Sequence, residues 1–214
     1  MTGYIVLMAK RSERIKDKNF QRVGFKSLID IAIDNAVKIV PKKYIFISSS
    51  YPEYKNYAKK RGAGFIDRPV ELSKKEVFLA DVVKHSAEWL VKNRGASEDD
   101  IIINLDICCP FTTLKQIAHC LLMIRDYDSC FSAKSFNASF IDDEPSISTG
   151  RIGRLVNFPA IRIRKIKAAL SCSGWGRAKD HIDIACIPEW HIDINTQKDL
   201  DNARTIWNLR NKLK

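Results

Sequence analysis

The chain has 214 residues, a length that suits one domain able to bury a core without metals or disulfides. Hydrophobic residues make up 45% of the chain, but no apolar run approaches the roughly 20 residues of a membrane helix, so we expect no membrane span. The first residues lack the pattern of a secretory signal, which predicts a cytoplasmic location. The 36 Lys and Arg residues outnumber the 25 Asp and Glu residues, and the net charge of +11 favours a polyanionic ligand, either a nucleic acid or a nucleoside triphosphate.

Short apolar segments rich in β-branched and aromatic residues predict strands that are buried on both faces. In chain order they are residues 4–8 (YIVLM), 44–48 (YIFIS), 101–105 (IIINL) and 129–133 (SCFSA). Apolar residues at helical spacing between them predict helices over about residues 28–39, 79–91 and 114–125, the last one capped by Thr112 or Thr113. Alternating strands and helices predict a single three-layer α/β domain over residues 1–214, with a mainly parallel, Rossmann-like sheet.

The second half of the chain is less regular. Residues 136–165 are polar and rich in turn-forming residues, which predicts a surface excursion or a partner-binding arm. A regular pattern resumes with HIDIACI and EWHIDI, over residues 181–187 and 189–194, and an amphipathic helix is expected from about Lys198. No internal repeat or linker indicates a second domain.

Six cysteines are scattered along the chain without a CxxC pair, which argues against a zinc site. In a reducing cytosol they are most simply buried small hydrophobes. The adjacent Cys108 and Cys109 could alternatively form a reactive pair.

A strongly basic segment, RSERIKDKN at residues 11–19, directly follows the first predicted strand. Such a loop can be a solvated connection, a nucleic-acid contact or a phosphate cradle, in which backbone N–H groups and cationic side chains converge on phosphate oxygens. The GxxxxGK pattern of a P-loop is absent, and the loop alone does not decide among these.

Two carboxylates are candidates for a metal site. Asp106 ends the third predicted strand, and Asp193 lies within HIDI near the end of the chain. The carboxyl ends of parallel strands meet at one edge of a sheet, so the fold could bring both residues together. Magnesium takes one or two carboxylates plus phosphate oxygens, although an Asp taken separately is more often a capping or turn residue.

Segments over residues 4–135 and 189–207 resemble the acylneuraminate cytidylyltransferases, which activate sialic acid and related nonulosonates as CMP-sugars. The matching pieces occur in the family's order: RSERIKDKN, RPVELS at 68–73, the helix VVKHSAEWL, LDICCPFTT, and IDINTQKDLDNA near the end. The resemblance implies a nucleotide-diphospho-sugar transferase-like fold and a reaction in which a hydroxyl of a carboxylated sugar attacks the α-phosphate of CTP. It also implies Mg²⁺ as cofactor and a homodimer, with residues 136–165 in the position of the family's dimerising excursion.

The resemblance, together with the position of Asp106 at the end of a predicted parallel strand, assigns roles to individual residues. The catalytic residues are Lys18, Asp193 and Asp106. The residues that bind the nucleotide and its phosphates are Arg11, Ser12, Arg14, Asn19 and Arg68. The metal ligands are Asp193, Asp106 and Asn195. Arg11 or Lys10 stands in for an earlier arginine of the family, which falls on Ala9.

Several positions depart from the family's pattern: Ala9 and Thr112 replace arginines, Glu13 replaces a lysine, Cys108 and Cys109 replace a Thr-Ser pair, and Asn195 replaces a metal-binding Asp. These departures support an alternative hypothesis: a catalytically weak or inactive relative that binds a nucleotide or nucleotide-sugar, or a partner subunit. A nucleic-acid-binding protein would use the net charge directly, but no RRM, KH or helix-turn-helix signature is present, so we expect no nucleic-acid partner.

Overall fold

The computed structural model describes residues 1–138, 152–172, 178–188 and 190–212. Its main sheet has seven strands in the order β5-β4-β1-β6-β8-β7-β9, and β2 and β3 form a separate hairpin. The strands are β1 (Gly3–Met8), β2 (Arg22–Val23), β3 (Lys26–Ser27), β4 (Ile45–Ser49), β5 (Gly64–Asp67), β6 (Ile101–Leu105), β7 (Ser129–Ala138), β8 (Ile152–Lys165) and β9 (His181–Ile187).

Helices cover both faces of this sheet. They are α1 (Leu28–Ala36), α2 (Pro52–Arg61), α3 (Leu79–Arg94), α4 (Leu114–Met123), α5 (Ile166–Ser171) and α6 (Gln197–Lys212). Residues of α1, α2, α4 and α6 share one hydrophobic core, and residues of α3 and α5 share a second core on the other face. Among the described residues, no helix is long and apolar enough to cross a bilayer.

The alternation of side chains along β1 shows why the domain has three layers. Ile5 and Leu7 point into the first core, whereas Tyr4 and Val6 point into the second. A strand that is apolar on both faces needs a helical layer on each side, as the sequence predicts. The predicted α/β fold is therefore confirmed, and so are the three predicted helices, the last of which begins at Leu114 and is capped by Thr113, which forms a capping box with Gln116.

The prediction of an irregular excursion over residues 136–165 is wrong for residues 152–165. They form β8, which lies between β6 and β7 in the main sheet and is antiparallel to both. Its residues Ala160, Ile161 and Ile163 are fully buried. Residues 139–151 lie outside the described residues, and the role of the excursion in dimerisation stays a prediction.

The segment EWHIDI was also expected to be regular, but its described residues 190–194 belong to no strand or helix. This segment leaves the carboxyl end of β9, which is parallel to β7. The loops after β1, β6 and β9 therefore lie at the same edge of the sheet, and this edge is where ligands bind in parallel α/β sheets.

Candidate functional site

The basic loop after β1 is fixed from the inside of the protein. Residues 9–17 have no regular structure and end in a single 3-10 turn at Lys18–Phe20. The Arg68 guanidinium donates to the carbonyl of Ala9 at 2.6 Å, and the Asn19 amide donates to the carbonyl of Lys10 at 3.2 Å and to the Tyr54 hydroxyl at 2.9 Å. Arg68 and Asn19 are 5% and 4% exposed, so these two residues support the loop from behind.

Two other residues with predicted roles at the nucleotide are also engaged within the protein. Arg11 forms an ion pair with Glu53 at 2.8 Å and lies over the Tyr51 ring, with its guanidinium carbon 4.7 Å from the ring centre. The Ser12 hydroxyl accepts a hydrogen bond from the backbone N–H of Ile15 at 3.2 Å. Arg11 therefore faces α2 in this structure, and Ser12 shapes the turn of the loop.

Lys18 and Arg14 reach across to the segment after β9. The Lys18 ammonium donates to the carbonyl of Ile194 at 3.0 Å, and the Arg14 guanidinium lies 3.4 Å from the side-chain oxygen of Asn195. Both cationic side chains therefore lie next to Asp193, in the segment that follows β9. Neither contact buries its cation completely, since Lys18 is half-buried and Arg14 is exposed.

Asp106 begins a tight turn at the end of β6. Its carboxylate accepts from the backbone N–H of Cys108 at 2.8 Å, and its own N–H donates to the carbonyl of Ala160 on β8 at 3.0 Å. The carbonyl of Cys108 then accepts from the N–H of Ile194 at 3.0 Å. This last bond ties the turn after β6 to the segment after β9, and it places Asp106 beside Asp193.

Three potential metal ligands converge at this point. One ligand atom each from Asp106, Cys109 and Asp193 lies within 4.8 Å of the others. Burial raises the pKa of Asp193, and the neighbouring Asp106 raises it further. A bound divalent cation would relieve this repulsion, and carboxylate oxygens are ligands that Mg²⁺ prefers, so the residues present fit a magnesium ion.

Asn195 lies next to this cluster, but its amide nitrogen faces the acid pair. The Asn195 amide donates to the Asp193 carboxylate at 2.8 Å, while its oxygen is directed to Arg14. An amide nitrogen does not bind a hard cation, so in this arrangement Asn195 links Arg14 to Asp193. A metal role for Asn195 stays a prediction.

Arg162 is a functional candidate that the sequence analysis did not find. It lies on β8 opposite Asn104 of β6, close to the point where β6 ends. Burial lowers the pKa of Arg162, whereas Asp106, Cys109 and Asp193 act in the opposite direction, because each favours a positive charge beside it. The alternation of Ile and Arg over residues 161–164 was the only sequence signal that pointed to a strand here.

Aromatic rings pack against one another in and beside the segment after β9. The rings of Phe111 and Trp190 are 5.5 Å apart, and those of Trp190 and His191 are 4.4 Å apart. The Lys134 ammonium on β7 donates to the carbonyl of His191 at 2.6 Å. Burial lowers the pKa of His191 to about 4, so its imidazole is neutral at pH 7.

The sequence profile of the family described as Cytidylyltransferase matches residues 4–144. The chain belongs to the cytidylyltransferase family. The predicted family is therefore confirmed at this broader level. No curated protein sequence matches the chain at a significant level.

Solved structures of similar fold include a CMP:2-keto-3-deoxy-manno-octonic acid synthetase complexed with CTP, with a TM-score of 0.70 and 13% identity over 98% of this chain and 100% of that one. The bifunctional IspDF from Campylobacter jejuni has a TM-score of 0.63 and 18% identity over 94% of this chain and 54% of that one. The 4-diphosphocytidyl-2C-methyl-D-erythritol synthase from Anaerococcus prevotii has a TM-score of 0.61 and 14% identity over 97% and 96% of the two chains. At these identities the matches establish a shared fold.

Proposed function

We propose that this protein transfers a cytidylyl group from CTP to a hydroxyl of a carboxylated, nonulosonate-type sugar, with Mg²⁺ as cofactor. The observation that carries the proposal is the convergence of Asp106 and Asp193 with Lys18 and Arg14 at the ligand-binding edge of a cytidylyltransferase fold. Acids that suit a cation and cations that suit phosphates meet there, as a magnesium-bound triphosphate requires.

The proposed reaction needs positioning and charge neutralisation more than a protein nucleophile. The sugar oxygen forms a bond to the α-phosphorus, the bond to the bridging oxygen breaks, pyrophosphate leaves, and the hydroxyl proton passes to water. Lys18 and Arg14 would exchange their contacts with Ile194 and Asn195 for oxygens of the triphosphate. Their charges would then stabilise the negative charge that builds up on the departing pyrophosphate.

Asp106 and Asp193 are the residues that would hold Mg²⁺. The ion, when bound, supplies charge neutralisation at the phosphates. The hydrogen bond from Asn195 fixes the Asp193 carboxylate, and the bond from the Cys108 N–H fixes that of Asp106. Both ligands are thus oriented before the ion arrives, which lowers the entropic cost of binding it.

A carboxylated acceptor fits the cations next to the acid pair. In the resembling family an arginine stands at position 112, but here the Thr112 hydroxyl donates to the carbonyl of Cys109 at 2.9 Å and is used within the turn. Arg162, which is on β8, lies beside Asp106 and Asp193. A guanidinium binds a carboxylate through two parallel hydrogen bonds. Arg162 is therefore the residue that we assign to the sugar carboxylate.

A catalytically weak relative or a partner subunit is the rival function, and the position of Asn195 favours it. At the place of a second carboxylate the structure has an amide nitrogen, 2.8 Å from Asp193. One full negative charge is therefore missing from the metal site, and hard cations prefer carboxylates. Such a protein would bind CTP or a CMP-sugar without turnover.

Pyrophosphate release, measured with each of the four nucleoside triphosphates and a panel of nonulosonic acids, tests the proposal. We expect release with CTP and at least one of the acids, and a CMP-sugar of the matching mass. Release with ATP or GTP but not CTP would show that the assigned base is wrong. Binding of CTP without release with any acid would support the rival function.

We also propose that the protein is a cytoplasmic homodimer. The support is the resemblance, in which residues 136–165 match the position of a dimerising excursion. Within these residues β7 and β8 pair as far as Ala138 and Ile152, so the undescribed residues 139–151 connect two paired strands.

A further inference from the structure

We infer that Cys109 makes the acid pair a site for thiophilic divalent cations such as Zn²⁺ and Cd²⁺, which occupy it in place of Mg²⁺ and so inhibit the protein. This inference rests on the proposed function, because the acid pair is the site that we assign to Mg²⁺. It concerns a residue that departs from the resembling family, in which a serine stands at this position.

The Cys109 thiol is held in place by the turn that follows β6. Its backbone N–H donates to the carbonyl of Asp106 at 3.2 Å, and its carbonyl accepts from both the N–H of Thr112 at 3.3 Å and the Thr112 hydroxyl at 2.9 Å. Cys109 is 4% exposed, so its side chain has little freedom to turn away from the acids.

The geometry of the cluster is close to that of a metal site. Zn²⁺ sites are almost always tetrahedral, with sulfur about 2.3 Å and carboxylate oxygen about 2.0–2.2 Å from the ion, so a sulfur and an oxygen on one ion are about 3.6 Å apart. The three ligand atoms of Asp106, Cys109 and Asp193 already lie within 4.8 Å of one another. Small side-chain rotations would close the site around an ion.

The thiol is also available as a ligand. Cys109 is a free cysteine, and its sulfur takes part in no hydrogen bond within the part of the chain that the structure describes. A buried sulfur without a partner, directed at two carboxylates, gains a partner when an ion binds and the thiol proton leaves to solvent.

Cations beside the site offset the charge of a thiolate ligand. Two carboxylates and one thiolate carry three negative charges, and both the Arg162 guanidinium and the Lys18 ammonium act on Asp193. Arg162 is placed for this role, since Asp106, Cys109 and Asp193 all act on its guanidinium. Mg²⁺ takes oxygen ligands, so the thiol keeps its proton when Mg²⁺ is bound.

Ligand chemistry decides which ion binds more tightly. Thiolate is a soft ligand that favours Zn²⁺ and its heavier relative Cd²⁺, whereas Mg²⁺ gains nothing from sulfur. Replacing Cys109 by serine should therefore weaken Zn²⁺ and Cd²⁺ binding strongly, because the softest ligand is lost.

Titration of the full-length protein with Cd²⁺, followed by the ultraviolet charge-transfer absorption of the cadmium–thiolate bond, tests the inference without any substrate. We expect one tight site in the wild type, and in Cys109→Ser no charge-transfer band from this site and a Kd at least about tenfold weaker. Asp193→Asn keeps the thiol and should weaken Cd²⁺ as well, which gives a second test if Cys109→Ser does not fold. Added Mg²⁺ should compete with Cd²⁺ in the wild type.

Two control variants separate this site from the other thiols. Cys108→Ser removes the neighbouring thiol, and Cys186→Ser breaks the pair of Cys120 and Cys186, whose sulfur atoms are 3.9 Å apart and could themselves bind Cd²⁺. Both variants should keep the tight site. Loss of that site in either control, or an unchanged Kd in Cys109→Ser, would overturn the inference.

The inference and the proposed function can fail separately. A wild type that binds Cd²⁺ through Cys109 but releases no pyrophosphate with any sugar would refute the proposed function and leave the cation site in place. A wild type that releases pyrophosphate with Mg²⁺, and whose inhibition by Cd²⁺ is the same in Cys109→Ser, would refute the inference alone.

Discussion

Lys18 is the cation that connects the basic loop most directly to the acid pair. Its ammonium donates to the Ile194 carbonyl at 3.0 Å and lies beside the Cys108 thiol, and neutral acceptors of this kind are readily exchanged for a phosphate oxygen. The ammonium is charged in both bonds, but a phosphate oxygen adds the attraction of an opposite charge that a neutral carbonyl lacks, so the exchange favours the ligand. Arg14 is exposed, so it would lose even less interaction within the protein when it binds a phosphate.

Lys18→Ala should therefore abolish most of the stabilisation by CTP. A ligand at a hundredfold excess over its Kd stabilises the native state by about 2.7 kcal/mol, and loss of a charge-assisted bond costs about 1.5–3 kcal/mol. Thermal melts with and without CTP and Mg²⁺ measure the shift. Lys38→Ala, at an exposed lysine outside this loop, is the control and should keep the shift. Equal shifts in both variants would remove Lys18 from the triphosphate site.

Asn195→Asp tests the missing charge at the metal site. The new carboxylate would lie close to Asp193, where the amide nitrogen is now 2.8 Å away, and would add an acidic ligand. We expect the Mg²⁺ concentration for half-maximal binding to fall in calorimetric titrations with CTP, and the metal-free protein to become less stable because two carboxylates repel each other. Asn195→Ala removes the amide without adding charge, and it should not lower the Mg²⁺ requirement. An unchanged requirement in Asn195→Asp would mean that position 195 does not face the ion.

At the scale of elements, the basic loop depends on β5, from whose end Arg68 reaches back to it. Arg68 donates to Ala9 and, at 3.1 Å, to the hydroxyl of Ser73, and it is almost completely buried. The resemblance implies that this arginine contacts the nucleotide, whereas its bonds in this structure support the loop that would bind the phosphates.

Arg68→Ala distinguishes these two roles. If Arg68 supports the loop, the variant without ligand should lose about 1–3 kcal/mol of unfolding free energy, because buried acceptors lose their donor, and CTP should also bind more weakly. Urea unfolding measures the first effect, with Arg125→Ala, at an exposed arginine, as the control. An unchanged stability of Arg68→Ala together with lost CTP binding would show a direct nucleotide contact instead.

The elements that the sequence predicts are those whose side chains carry a clear pattern. Strands β1, β4 and β6 are runs of buried apolar residues, but α2 buries only Tyr54 and Ala58 and has no apolar stripe to detect. In β8 the fully buried Arg164 donates to Asn104 at 3.2 Å and lies over the Phe131 ring, so a charged residue occupies a core position. Such a residue is read as exposed unless its partners are known.

The residues of the site also differ in how far the sequence predicts their positions. Asp106 and Asp193 could be expected to meet, because parallel strands present their carboxyl ends at one edge. The position of Arg162 beside these two acids could not be expected from the sequence. It depends on the antiparallel pairing of β8 with β6, and these two strands are far apart in the chain. The Cys109 thiol was not expected beside the acid pair, because a single cysteine has no spacing signature.

For the molecule as a whole, the oligomeric state is a separate prediction. We expect sedimentation velocity to show a dimer at micromolar concentration. Replacing residues 141–149 by a short turn should convert it to a monomer without loss of the fold, because β7 and β8 remain paired up to Ala138 and Ile152. A wild type that sediments as a monomer would contradict the proposed dimer.

The central claim is that the edge of the sheet around Asp106 and Asp193 is a magnesium-dependent cytidylyl-transfer site, and the rate of pyrophosphate release in Asp193→Asn tests it most directly. The substitution keeps the shape of the side chain and removes one of the two charges that would hold Mg²⁺. With CTP and the best acceptor sugar, we predict a loss of at least about a hundredfold at fixed Mg²⁺, partly recovered at high Mg²⁺, while Asp126→Asn, at an exposed carboxylate, keeps the wild-type rate. Turnover in Asp193→Asn equal to that of the wild type, with the same dependence on Mg²⁺, would contradict the account.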